Sequence, residues 1–77
     1  MSLKDEFAWY LEHQAELVAQ YDGRVLVIQA HKVVGDYSSE LEAMQAQHNQ
    51  REPGTYLIQR CSPGDSDYTV TYHSRVA

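Results

Sequence analysis

The sequence predicts an α+β domain in the order α-β-β-α-β-β: a four-stranded antiparallel sheet, strand order 2-1-3-4, with two helices on one face. Three observations carry this. A run from Leu3 to Tyr21 places its apolar residues at helical spacing and stops at Asp22-Gly23. Two β-branched runs, 24–30 and 33–37, follow so closely together that only an antiparallel hairpin joins them. After a second helical stretch, two more short strand-like runs flank a Pro63-Gly64 turn. Residues 1–77 read as a single domain, because a chain of 77 residues supports one core.

Leu3, Phe7, Tyr10, Leu11, Gln14, Leu17, Val18 and Tyr21 share one side of the first helix. Ser2 is its expected cap, Asp5 and Glu6 complement the dipole in its first turn, and Gly23 suits the left-handed position beyond its end. The first strand, "RVLVIQA" at 24–30, is apolar on both faces: Val25 and Val27 on one, Leu26, Ile28 and Ala30 on the other. Such a strand needs cover on both faces and belongs at the centre of a sheet. The connection "AHK" lacks the Asn-Gly or Asp-Gly chemistry of a tight hairpin, so a longer or bulged turn is expected.

"VVGDY" at 33–37 is the second strand. Ser39 and Glu42 then form a capping box, with Ser38 as the competing cap, and Leu41, Met44 and His48 are the inner positions of a short helix with a Gln-rich outer face. "REPGT" ends it. Residues 55–61 are a third strand, and 68–76 a fourth in which Tyr68, Val70 and Tyr72 alternate with Thr69, Thr71 and His73. Setting the third strand beside the first keeps every neighbour pair antiparallel and gives the order 2-1-3-4.

"FAWYLEHQAELVAQYDGRVLVI" followed by "KVVGDYSSELEAM" resembles a small prokaryotic domain-of-unknown-function family. Its pattern is an aromatic-rich first helix, Tyr-x-Gly before a Val-rich strand, and a Val-Val-Gly hairpin strand leading through Ser to a second helix. The likeness covers roughly residues 3–60, with Tyr21, Gly23, Val27, Val33, Val34, Gly35 and Ser39 at matching positions. It implies a compact α+β fold in a bacterial protein, and carries over no activity and no catalytic residue.

Composition narrows the function classes. Six Lys+Arg against eleven Asp+Glu give a net charge of −5, and the basic residues are scattered singly, which weighs against nucleic acid and anionic membrane surfaces. No apolar run approaches the ~20 residues that span a bilayer, and the first residues lack the pattern of a signal peptide. A cytoplasmic protein is therefore expected. One cysteine, Cys61, excludes an internal disulfide.

His13 with Glu12 and Glu16 on the first helix, His31, His48 and His73 show neither HExxH nor HxH spacing. "SPGDSD" lacks the ligand pattern of a calcium loop, and the four glycines stand apart rather than in a phosphate loop. The expectation is no catalytic residue, no metal and no cofactor. Two features call for a partner. Trp9 lies off the apolar stripe of the first helix and is a candidate partner anchor. If both helices cover one sheet face, Val25, Val27, Tyr68, Val70 and Tyr72 make an open second face. A small non-catalytic interaction or regulatory module is expected, pairing through that face as a homodimer or with another protein. The alternative is a small-molecule or peptide binder using the same face.

Overall fold

The computed structural model describes residues 3–52 and 54–68. The elements run α1 (Leu3–Tyr21), β1 (Val25–Ile28), β2 (Val33–Tyr37), α2 (Glu40–Gln47) and β3 (Leu57–Arg60). The three strands form one antiparallel sheet in the order β2-β1-β3. The fourth strand expected at 68–76 lies outside the described residues except for Tyr68, which is not in a strand.

The helices lie on opposite faces of the sheet, not on one. On the α1 face, Phe7, Tyr10 and Leu17 pack against Leu26, Ile28, Leu57 and Cys61. On the other, Ala43 of α2 packs on Val25 and Val27, with Val34, Tyr37, Tyr56 and Ile58 around them. All four residues of β1 are buried. The two-faced apolarity of "RVLVIQA" is thus answered within the chain. The β2–β3 connection must cross over β1, and α2 makes that crossing on the side α1 leaves bare.

Register explains which side chains reach which layer. Val27 pairs with Gly35 and Ile28 with Val33, so Val34 is an extra residue in β2. This bulge lets Val34 join the α2 layer beside Gly35 while Val33 packs on the α1 side. Gly35 has a steric reason of its own. A Cβ there would sit 2.8 Å from the Tyr37 hydroxyl, because the Tyr37 ring lies back over the strand.

The β1–β2 turn is tighter than expected. Gln29 and Lys32 exchange backbone hydrogen bonds around only two residues. Ala30 (φ 57°) and His31 (φ 59°) both have positive φ, as a type I′ turn requires. Neither residue favours that region. The compensation comes from α1. The Glu6 carboxylate, 1% exposed, accepts the Ala30 N–H at 2.8 Å and the His31 N–H at 2.9 Å. An acidic residue expected only to complement the helix dipole is the anchor of the hairpin.

Helix ends follow local chemistry. Gly23 has φ 87° and its N–H reaches Cys61 O at 2.8 Å, so the chain leaves α1 directly into the sheet. Ser39 caps α2, its side chain accepting from the Glu42 N–H at 3.1 Å. The return half of the box is offset by one residue: Glu42 Oε1 accepts from Ser38 N and Ser38 Oγ.

Candidate functional site

α2 has only eight residues, and what it buries decides what it shows. Ala43 and Gln47 face the sheet. The small Ala43 side chain lets the helix sit close on the valine layer. Gln47, also buried, donates to Tyr37 Oη at 3.1 Å and to Ala43 O at 3.2 Å. With the row 43–47 turned inward, Leu41 and Met44 point out. They are 62% and 56% exposed, well above Leu3 and Leu11 at 38% each. The expectation that Leu41, Met44 and His48 form the inner face of α2 is therefore reversed. Together with Gln45, His48 and Asn49 they line a shallow concavity of about 370 Å³ that holds no charged carboxylate or ammonium group. This carboxylate-free, partly apolar stripe is the candidate contact surface.

Val25, Val27 and Tyr68, expected on an open sheet face, do not lie on one. Val25 and Val27 are fully buried beneath α2. Tyr68 lies on the α1 side: its ring meets Phe7 edge-on at 5.1 Å and its hydroxyl donates to Gln14 Oε1 at 2.8 Å. Val70 and Tyr72 fall outside the described residues. Trp9 is half-buried against the α1 core and stacks on His13 at 4.5 Å, while His13 Nδ1 donates to the Trp9 carbonyl at 2.9 Å. Trp9 is thus folded against its own helix and keeps part of its surface exposed.

The remaining chemistry-bearing residues are dispersed. His31 sits in the hairpin turn and His48 at the end of α2, both exposed. His73 lies outside the described residues. Cys61 is buried at the end of β3, and burial pushes its thiol pKa up, which opposes nucleophilic use. The Tyr10 hydroxyl is buried beside it. The Cys61 thiol and the Ser62 amide are its polar neighbours, but no hydrogen bond of acceptable geometry forms. Burial first, then Cys61, pushes the Tyr10 pKa up to about 12. Among the described residues no three His, Cys, Asp or Glu side chains gather at metal-binding distance, and no helix is long and apolar enough to cross a membrane.

No protein-family model, curated protein or solved structure matches the chain. The motif residues nevertheless have structural work to do. Gly23 takes the positive φ, Gly35 lies under the Tyr37 ring, and Ser39 caps α2.

Sequence reasoning missed the α2 surface because it assigned the largest apolar side chains to the core. A signal was present: Ala43, Gln47 and Arg51 recur every four residues, a row small enough at its start to approach β-branched residues closely.

Proposed function

We propose that this chain is a non-catalytic interaction module that pairs weakly with a second copy of itself through the outer face of α2. The observation that carries the reading is the outward placement of Leu41 and Met44 when both sheet faces are already covered. Charge selects the partner. A chain of net charge −5 repels its own copy, so self-contact favours a stripe without carboxylates, and Leu41, Met44, Gln45, His48 and Asn49 provide one. A two-fold pairing sets this stripe on itself.

Magnitudes make the dimer a weak one. Full burial of a Leu or Met is worth about 1.5–3 kcal/mol. With Leu41 62% and Met44 56% exposed, each gains roughly 1–2 kcal/mol, or about 4–7 kcal/mol for four side chains. Association costs at least ~4 kcal/mol. At most about 3 kcal/mol remains, which is a dissociation constant of several millimolar or weaker.

In the same reading, the strand expected at 68–76, without Tyr68, completes the sheet beside β3 and gives the order 2-1-3-4. Small-angle scattering over a concentration series reaching ~5 mM tests the pairing. The average mass should rise toward the dimer for the natural sequence and stay monomeric for Leu41→Glu/Met44→Glu, whose substitutions touch no buried position. A natural chain that remains monomeric throughout overturns the proposal, as does a double variant that dimerises equally well.

A further inference from the structure

Arg51 is held in an unusual way. Its Nε donates to Gln29 Oε1 at 2.9 Å and its Nη1 to Gln47 Oε1 at 2.7 Å, with Gln50 Oε1 at 3.5 Å from Nη1. All three acceptors are neutral amides, so the guanidinium is oriented without being neutralised. Gln47 is buried, and Gln29 is itself fixed by donating to Thr55 Oγ1 at 3.2 Å. Thr55 Oγ1 donates in turn to Glu52 O at 2.6 Å. The fork therefore rests on a chain of hydrogen bonds that reaches the β1–β2 turn, α2 and the segment leading into β3.

Two contrasts make this arrangement informative. Arg24 and Arg60 are each paired with a carboxylate, Asp36 at 3.0 Å and Glu40 at 2.7 Å. Arg51 has no carboxylate partner among the described residues, although acids outnumber Lys+Arg by eleven to six. Its Nη2 makes no hydrogen bond there either. Arg51 also lines a polar, solvent-open concavity of about 460 Å³ with Gln29, Gln50, Glu52 and Thr55.

We propose that this concavity binds a small molecule through a single carboxylate group received by Arg51. A planar fork offers the open Nη2 and the second proton of Nη1, which is not given to Gln47 and meets Gln50 only at 3.5 Å, and this pair matches the two oxygens of a carboxylate once Gln50 is displaced. Because Gln29 and Gln47 hold the fork in advance, little side-chain freedom is lost on binding. Glu52 on the wall sets the charge limit: one negative charge is matched by Arg51, and a second meets Glu52. The site thus selects a monocarboxylate over a phosphate dianion. This inference does not depend on the α2 pairing, since it uses a different concavity.

The test uses the intact ¹⁵N-labelled chain and needs no variant for its first arm. The Arg51 Nε–H and the side-chain amides of Gln29 and Gln50 are followed by NMR while sodium acetate replaces sodium chloride at constant ionic strength. The expected result is a saturable shift of these signals and of the Thr55 amide, with other basic side chains unmoved. Inorganic phosphate above neutral pH should bind at least tenfold more weakly, and Glu52→Gln should narrow that gap. Arg51→Lys, which keeps the charge and loses the fork, should weaken acetate at least tenfold. Shifts that do not saturate, or that spread equally over other basic side chains, overturn the proposal and leave Arg51 as a fastener of α2 alone. Phosphate binding as tight as acetate overturns the assignment to a carboxylate.

Discussion

Glu6→Gln tests the least expected contact in the core. Both carboxylate oxygens accept a backbone N–H from the turn, Ala30 at 2.8 Å and His31 at 2.9 Å, and the side chain has 1% exposure. Glutamine is nearly isosteric but carries one oxygen. One amide keeps a neutral acceptor in place of a charged one, and the other faces an NH₂ group. A hydrogen bond to a charged group contributes about 1.5–3 kcal/mol, and an orphaned donor costs about 1–3 kcal/mol. Two effects reduce the sum. Ala30 and His31 are exposed, so the released amide can turn to water, and a buried charge no longer has to be desolvated. A net loss of about 2 kcal/mol follows, a large share of the roughly 4–12 kcal/mol available to a domain of this size. In urea, with a slope near 1 kcal/mol per molar, the midpoint should fall by about 2 M. Glu16→Gln, on the exposed side of the same helix, should stay within about 0.5 kcal/mol. The complementary change, Ala30→Asn with His31→Gly, supplies residues that accept positive φ and should raise stability by about 1–2 kcal/mol. If Glu6→Gln matches Glu16→Gln, or the Asn-Gly turn destabilises, the carboxylate does not hold a strained turn.

Gly23→Ala should cost about 1 kcal/mol in the same assay, from its φ of 87° alone, because nothing lies within 4 Å of the new Cβ. Ser39→Ala should cost about 0.5–2 kcal/mol by loss of the bond to Glu42 N; a larger effect from Ser38→Ala would place the cap one residue earlier. The Arg60 hydrogen bond holds the Glu40 pKa below the usual carboxylate range, and the Ser38 side chain does the same for Glu42. Lowered folded-state values mean stability that is present above the unfolded value of about 4.3 and is lost as pH falls through the folded values. Glu40→Gln and Glu42→Gln should therefore each flatten the acid limb of thermal stability against pH. For Tyr10 the sign is opposite: a pKa pushed up to about 12 means stability present below about pH 10 and lost as pH rises through 12. Tyr10→Phe, which removes a buried hydroxyl without a partner, should leave neutral-pH stability unchanged or raised by up to about 1 kcal/mol. It should also soften the alkaline loss.

The sequence carried the α1 periodicity, the Gly23 stop, the Ser39 cap and the two-faced apolarity of β1, and each is set by contacts within a few residues or by strand alternation. The sidedness of α2 was not legible in the same way. Leu41 and Met44 outweigh Ala43 in apolar surface, so reading by hydrophobicity turns the helix the wrong way round. What decides the matter is distance. β1 presents two valines and β2 the Tyr37 ring to α2, and a leucine at position 43 would hold the helix off that layer. Ala43 lets it settle, and Gln47 then reaches Tyr37 Oη and Arg51 Nη1 from the next turn. The error about the open face followed directly, because a helix assigned to the wrong side leaves Val25 and Val27 without cover.

Glutamine was the residue type most easily misjudged. On composition it reads as solvent-facing, yet Gln47 and Gln59 are buried at 1% and 0% exposure, and Gln14 and Gln29 are half-buried. Each binds segments that have no regular ladder. Gln14 donates to Ser62 O and Gly64 O while accepting from Tyr68, and Gln59 donates to Asp67 O, so two amides secure the 62–68 loop from α1 and β3. Gln29 and Gln47 do the same for Arg51 at the end of α2. A side chain with both donors and acceptors on a flexible stem can satisfy backbone groups and a cation without adding charge. In a small chain of net charge −5, that property has a consequence: loops are fastened by neutral amides, so Arg51 keeps its charge available. The same feature that hid these residues from a reading of polarity is what leaves the Arg51 fork open to a ligand.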